Sequence, residues 1–256
     1  PIKIKEDVAD ISVGYKCSLI LDADGTLYAT GNNELGEIGL GDASSTNSFT
    51  EVLTDVIKIS TGAKHSFAIK SDGSLWATGR NTYGQLGLGH TDNVKTFTKV
   101  LDGGVLEASA GGHHSLIIKT DKSLWSCGSN MFGQLGNDVI DDWDLKQWFA
   151  GPTNIDNHHS ITWDKDDSSQ TFADFYESLT TDNDESQFIK VIDTDCKRIV
   201  CGTLTSFVIK QDDALYVSGL KSEWDWLNLF GGTFADYDAF DPAASSNDAI
   251  VNGLDI

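Results

Sequence analysis

Apolar and polar positions alternate with a period of two in short runs along this chain, a pattern typical of strands with one buried face. In His65–Lys70, Phe67 and Ile69 occupy one face, and smaller or polar side chains occupy the other. Asp72-Gly73 follows, a dipeptide that tolerates the positive φ of a tight turn. Leu75–Gly79 then opens a further strand. The pattern predicts a β-hairpin here.

The same pattern occurs four times. The segment GAKHSFAIKSDGSLWATGRNTYGQLGLG begins at Gly62, and related segments begin at Gly14, Gly111 and Gly202, with spacings of 48, 49 and 91 residues. Repeats of this length are typical of solenoids and propellers. Each copy accounts for three to four hairpin-joined strands, which is the content of a propeller blade. We therefore predict an all-β propeller of four-stranded blades, forming a single domain over residues 1–256. The blades are expected at about 8–55, 56–104, 105–195 and 196–256.

The repeat is interrupted after Gly136. The phrase Phe-x-x-Val, which ends the first two copies, returns only at Phe188, some 40 residues late. We interpret residues 137–187, approximately, as a long acidic and aromatic insertion within the third blade. A degenerate extra blade is the alternative, since His158-His159-Ser160 echoes His113-His114-Ser115. Asp156 stands where a defining glycine would align, which favours the insertion.

The repeat resembles that of the regulator of chromosome condensation family. The shared phrases are Gly-x-x-His-Ser, Asp-Gly-Ser-Leu-Trp, Ala-x-Gly and Asn-x-Tyr-Gly-Gln-Leu-Gly-Leu-Gly, met almost in full at residues 62–89, well at 14–41 and 111–136, and poorly at 202–219. The resemblance implies the propeller blade of that family, whose typical ring has seven blades, more than the repeats found here. Its best-known member exchanges nucleotide on a small GTPase through a loop wedge and a basic face, and we identify neither. The tryptophan motif of an ultraviolet-sensing relative, Gly-Trp-Arg-His-Thr, is also absent.

The net charge of the chain limits the classes of partner that it is expected to bind. It carries 39 acidic and 18 basic residues, for a formal net charge of −21. Such a field repels phosphate backbones and anionic lipid heads, and no apolar stretch approaches the length of about 18 residues that a membrane helix needs. We predict neither nucleic-acid binding nor membrane insertion. Solubility or adaptation to a salty medium is the simplest explanation of the charge, with a basic partner as the alternative.

The four cysteines do not form a disulfide framework or a Cys-x-x-Cys zinc motif. Cys17 takes the position of His65 in its repeat, while Cys196 and Cys201 are placed on opposite faces of one expected strand. Free thiols of this kind favour synthesis in a reducing cytoplasm.

Neither a metal site nor a catalytic site is predicted. His65 and His114 occupy the same position in different blades, which indicates a packing role. Asp182-Asn183-Asp184 lacks the glycine and glutamate of a calcium loop, so we interpret it and similar clusters as solvated loops. No nucleophile elbow, phosphate-binding loop or acid–base pair is present. We expect a protein that is not an enzyme and has no cofactor.

Aromatic side chains concentrate where the chain departs from its own repeat. Loops on a rigid scaffold often carry binding residues, and aromatic residues are enriched at interfaces. The candidate binding residues are Trp143, Trp148, Phe149, Trp163, Trp224, Trp226 and Phe230. The alternative is that these rings cover the open edges of the array. Trp76 and Trp125, by contrast, occupy ordinary strand positions, where we expect buried packing.

The sequence thus favours a propeller that acts as an interaction scaffold for other proteins within a multi-subunit assembly. A structural or host-contacting component of a phage virion is the first interpretation. The alternatives are a cytosolic adaptor or exchange-factor-like binder of a small GTPase, and an extracellular ligand- or glycan-binding module of a larger surface protein.

Overall fold

The alternating runs form strands throughout residues 3–137 and 184–219, which are the residues that the computed structural model describes. Three sets of four strands follow the predicted repeat, and a fourth set has three strands within the described residues. The first two sets are β1 (Val8–Val13), β2 (Cys17–Asp22), β3 (Leu27–Gly31), β4 (Thr46–Leu53), β5 (Val56–Thr61), β6 (His65–Lys70), β7 (Leu75–Gly79) and β8 (Val94–Leu101). The others are β9 (Val105–Ala110), β10 (His114–Lys119), β11 (Leu124–Gly128), β12 (Glu185–Ile192), β13 (Cys196–Cys201), β14 (Thr205–Lys210) and β15 (Leu215–Gly219).

Each set forms its own antiparallel sheet in sequence order. The sheets run β1-β2-β3-β4 (blade 1), β5-β6-β7-β8 (blade 2), β9-β10-β11-β12 (blade 3) and β13-β14-β15 (blade 4). Four separate meanders, each contacting the next through its first two strands, are the blades of a propeller. The predicted all-β propeller is confirmed.

Each blade turns between its second and third strands through one left-handed residue. Gly73 has a φ of 78° and follows Asp72, whose Oδ1 accepts a hydrogen bond from Ser74 N at 2.9 Å. In blade 3 the left-handed residue is Lys122, and in blade 4 it is Asp213. The Asp-Gly phrase therefore predicted the hairpin correctly, and the aspartate can hold the turn where glycine is missing.

The core lies between blades rather than within them. Leu19 and Leu27 of blade 1 pack in one cluster with Val56 and Ala68 of blade 2. Equivalent clusters join blade 2 to blade 3 and blade 3 to blade 4. Every blade is thus a sheet with both faces available for burial, and its stability depends on its neighbours.

The glycines that open the first three repeats lie against the backbone of the next blade. A Cβ at Gly62 would lie 2.2 Å from Gly111 O, and Ala63 N donates a hydrogen bond to the same oxygen at 3.0 Å. Any side chain would push the two backbones apart, as the glycine-rich pattern predicts.

The interruption of the repeat falls in the connection between β11 and β12. Phe188 lies in β12, which pairs with β11 and completes the sheet of blade 3. β12 begins at Glu185, so the last residues of the expected insertion belong to this strand, while residues 138–183 lie outside the described residues.

Candidate functional site

Loops between the third and fourth strands are built on a buried asparagine in blades 1 to 3. In blade 2, Asn81 Oδ1 accepts a hydrogen bond from Leu86 N at 2.9 Å, and its Nδ2 donates to His90 O at 2.7 Å. Asn33 and Asn130 make the corresponding bonds to Ile38 N and Leu135 N. The asparagine of the repeat phrase is therefore a loop-forming residue, fully engaged by the backbone it organises.

The same asparagines also mark where each loop returns to its blade. Their backbone N–H groups donate to Ser45 in blade 1, Asn93 in blade 2 and Asp184 in blade 3. The sequence separation is 12 residues in the first two loops and 54 in the third, so blade 3 carries 42 additional residues. The hydrogen bonds of Asn130 that organise the loop are kept despite the additional residues.

Buried histidines link neighbouring blades through a serine. Ser115 Oγ donates its one hydrogen to Gln85 O at 2.7 Å, so His65 Nε2, 2.9 Å away, must be the donor to Ser115 Oγ. His114 donates to Ser206 Oγ in the same way, and that hydroxyl donates to Gln134 O at 2.6 Å. The packing role predicted for both histidines is confirmed.

Two buried histidines and two cysteines are held in unreactive protonation states. Burial lowers the pKa of His65 to about 3 and that of His114 to about 4, so both rings are neutral at pH 7. Burial raises the pKa of the Cys17 thiol to about 11 and that of Cys201 to about 12, which suppresses the nucleophilic thiolate. All four cysteines are free of disulfides.

One cleft in the described residues, lined by Lys5, Glu6, Asp7, Asp22, Ala23 and Asp24, measures about 470 Å³ and is open to solvent. Within residues 3–137 and 184–219, no group of three or more His, Cys, Asp or Glu side chains is placed to hold a metal ion. A cleft between blades 1 and 2, lined by Lys16, Glu34, Glu37 and Lys64 among others, measures about 70 Å³. Ligand pockets are usually several times larger, on the order of 300–1,000 Å³.

Positive charge and aromatic rings meet at the junction of blades 2 and 3. The Arg80 guanidinium lies 5.4 Å from the centre of the Tyr83 ring, which meets the His113 ring edge-on at 5.1 Å. Burial, with the charges of Arg80 and Lys64, lowers the pKa of His113 to about 3. This group is occupied in holding the two loops together, and it leaves His113 neutral.

Exposed apolar strand faces occur in the first and last of the described blades. Val8, Ile11 and Val13 of β1, which we name the leading face, are exposed by 41%, 64% and 70%. The counterparts of Val8 in blades 2 and 3, Val56 and Val105, are 2% and 3% exposed because the preceding blade covers them. An apolar strand face of this kind is unusual on a free surface and indicates an interaction site.

At the other end, Leu215 and Val217 of β15 form what we name the trailing face. Both are exposed, whereas their counterparts in β7, Leu75 and Ala77, are fully buried against blade 3. The leading face and the trailing face therefore correspond to the two surfaces that are buried against each other where neighbouring blades pack inside the chain.

Two family models with the description "Regulator of chromosome condensation (RCC1) repeat" match the chain. One matches residues 8–37, 56–85 and 105–134, and the other matches 24–69 and 72–118. The chain belongs to this family. The RCC1 repeats matched in this way correspond to blades 1 to 3, which also share the asparagine-centred loop.

Solved structures share the RCC1 propeller fold with this chain. Yeast RCC1 (Prp20), crystallised with Kap60, gives a TM-score of 0.62 at 22% identity over 86% of this chain and 45% of its own. Human WBSCR16 gives 0.58 at 19% identity over 83% and 47%. The chain thus spans about half the length of these relatives. No curated protein matches it in sequence.

The aromatic residues selected where the sequence departs from its repeat all lie outside the described residues: Trp143, Trp148, Phe149, Trp163, Trp224, Trp226 and Phe230. They stay a prediction. Sequence reasoning did not select the leading face, although aligning Val8, Ile11 and Val13 with buried positions of later repeats would have located it. Within the part of the chain that the structure describes, no helix is long and apolar enough to cross a membrane.

Proposed function

We propose that this protein is a non-enzymatic scaffold that binds other proteins through the surfaces of its blades. The observation that carries the proposal is the exposed apolar leading face, next to blades whose histidines, serines and asparagines are engaged in internal bonds. Protein binding by propeller relatives supports it. Yeast RCC1 has been crystallised bound to Kap60, and Prp20p is described with binding properties to Gsp1p and histones.

The finer proposal is a structural or host-contacting component of a larger assembly, such as a virion. A net charge of −21 keeps the protein away from nucleic acid and anionic membranes, while apolar end faces suit a subunit held between protein neighbours. The aromatic residues at 143–163 and 224–230 are proposed to contact such neighbours.

Sedimentation of the native protein tests the assembly role. A lysate from the source of the protein is layered on a sucrose gradient, and an antibody to the chain follows its position. Co-sedimentation with virions or another large particle, persisting at 0.5 M salt (roughly a 4 Å screening length), is the expected result. Recovery only in the fractions of the free protein would contradict the assembly role.

A second candidate is an adaptor or exchange-factor-like binder of a small GTPase, favoured by the fold shared with Prp20p and by that protein's described binding to Gsp1p. It predicts faster release of a fluorescent nucleotide from a GTPase of that class, and an unchanged rate would exclude it. The third candidate, a glycan-binding module, predicts saturable binding on a glycan array.

A further inference from the structure

Every junction inside the chain is assembled from the same parts. Apolar residues in the second and third strands of one blade share a buried cluster with the first strand of the next: Leu19 and Leu27 with Val56, and Phe67 and Leu75 with Val105. A serine of the earlier blade accepts a hydrogen bond from the later blade: Ser12 from Thr61 N at 2.9 Å and Ser60 from Ala110 N at 3.0 Å. The junction is therefore directional. The earlier blade contributes the side that carries the accepting serine, which we name the giving side, and the later blade contributes its first strand, which we name the receiving side.

Blade 1 carries a receiving side that is exposed in the described residues. Val8 and Ile11 hold the positions of Val56 and Ile59, and Ser18 holds the register position of Ser66. Ser66 Oγ donates to Glu37 O of the preceding loop at 2.7 Å. Ser18 Oγ makes no such bond to a loop carbonyl in residues 3–137 and 184–219.

Blade 4 keeps the giving side. Leu215 and Val217 pair with Ile209 and Phe207 in the register of the buried Leu75 and Ala77 of blade 2. One part is changed, because Val200 stands where Ser12, Ser60 and Ser109 accept their hydrogen bonds. A junction made by this side would retain the apolar contact and lose one hydrogen bond.

We propose that the leading face of one copy of this chain docks on the trailing face of a second copy. Each copy supplies what the other lacks, and the contact continues a junction that already occurs three times within the chain.

Two such contacts close a pair, because the trailing face of each copy then meets the leading face of the other. The contact is heterologous, so a rotation that failed to close would continue as a filament. Closure by two copies joins two sets of four sheets into one array. The missing serine bond makes the contact between copies weaker than the internal junctions, which predicts a concentration-dependent equilibrium.

Light scattering coupled to size exclusion tests the pairing on the full chain. The expected mass is twice 27.7 kDa at micromolar concentration, falling toward 27.7 kDa on dilution. Ile11→Asp and Val217→Lys should each raise the dissociation constant by at least ~100-fold, since each places a charge in an apolar contact. Ile57→Asp is the matched control, because Ile57 is an exposed apolar residue of the inner strand of blade 2; this variant should pair like the wild type.

Mixing the two variants gives the decisive measurement. An equimolar mixture of Ile11→Asp and Val217→Lys retains one unaltered leading face and one unaltered trailing face, so it should recover the paired mass that neither variant shows alone. Circular dichroism of each variant checks that its blades are folded. A wild-type chain of single mass at all concentrations would overturn the proposal. So would a mixture that stays unpaired, or pairing that Val217→Lys leaves intact, which would indicate leading face against leading face. A series of higher multiples would overturn the closed pair.

Discussion

His65 and His114 are kept neutral by the position of their second ring nitrogen. Because each Nε2 carries the hydrogen donated to serine, a further proton would have to bind Nδ1, which in both rings is buried without a hydrogen-bond partner. Burial opposes the charge in both rings, and only in His114 does a backbone hydrogen bond with Thr205 partly offset it. Packing between the blades therefore depends on both histidine rings remaining neutral.

Stability should fall as the medium becomes acidic. The unfolded histidines titrate near 6.5, while the folded values are about 3 for His65 and about 4 for His114. The unfolded chain thus binds more protons between these limits, so the contribution of the two histidines to the free energy of unfolding is fully present above pH 6.5 and decreases down to about pH 3. Urea midpoints measured from pH 7.5 to 4.5 will follow this decrease.

His65→Cys supplies the control, since blade 1 places Cys17 at this position. The variant should lose about 1–2 kcal/mol at pH 7 through the missing bond to Ser115. The free energy of unfolding of the variant should also depend less steeply on pH, because the variant lacks one group that takes up a proton on unfolding. Identical pH dependence in variant and wild type would show that His65 is not the group responsible.

Phe67 and Trp76 differ in how completely they are buried. Phe67 is wholly buried and meets the His65 ring edge-on at 5.6 Å, so Phe67→Ala should cost about 3–5 kcal/mol. Trp76 and Trp125 were expected to be buried, but the structure shows both only partly covered. Trp76 Nε1 donates to Ser74 Oγ, and Lys70 Nζ lies 4.8 Å from the Trp76 ring centre. Trp76→Ala should then cost about 1–2 kcal/mol. Equal losses in urea denaturation would contradict this difference.

At the scale of the elements, the loop between the third and fourth strands determines how one blade covers the next. Gly87 lies in the loop of blade 2, where its hydrogen is directed at the Phe188 ring of blade 3. Gly39 of blade 1 makes the same approach to Phe97 of blade 2. Each loop is therefore part of the following junction as well as of its own blade.

Gly87→Ala should destabilise the protein by about 2 kcal/mol or more. The residue has a φ of 72°, which strains any side chain, and a Cβ would lie 2.5 Å from the Phe188 ring. Gly103→Ala is the control, because its Cβ would meet only Asp72 O at 3.5 Å and its φ is not left-handed. Urea unfolding of the two variants gives the comparison, and equal stabilities would show that the loop does not press on the ring.

The features of the fold that could be predicted from the sequence are those determined by residues close together in the chain. Alternation in His65–Lys70 and the Asp72-Gly73 turn identified the hairpin because both act within a few residues. The bond from His65 to Ser115 spans 50 residues and depends on how two sheets dock, which no local pattern encodes. The partial exposure of Trp76 was missed for the same reason, since Lys70 and Lys99 cover its ring only after the strands pair. The candidate aromatic residues have no repeat to align with, so their site stays a prediction.

At the scale of the whole molecule, the additional residues of blade 3 should be removable. Deleting residues 140–181 restores the separation of 12 residues between Asn130 and Asp184 that the other loops have. The blades should remain folded and gain about 1 kcal/mol, because a shorter loop costs less entropy to close. Binding to a large particle should be lost, while pairing through the end faces should persist.

Circular dichroism, thermal unfolding and light scattering on this deletion separate these outcomes. Unchanged co-sedimentation with a large particle would move the partner surface from the insertion to the blades. Unfolded protein would show that the removed residues are needed to complete the sheet.

The position of the additional residues also has a consequence during synthesis. Blades 1 and 2 have all their strands once Leu101 has left the ribosome, but β11 waits for β12 until Ile192 has emerged. At about 5–20 residues per second, the 42 extra residues lengthen that wait by roughly 2–8 seconds. Throughout it the nascent chain presents Leu124–Gly128 as an unpaired strand edge. Nascent blade 3 is therefore the point at which a chaperone, or a neighbouring chain on the same polysome, has the longest opportunity to bind.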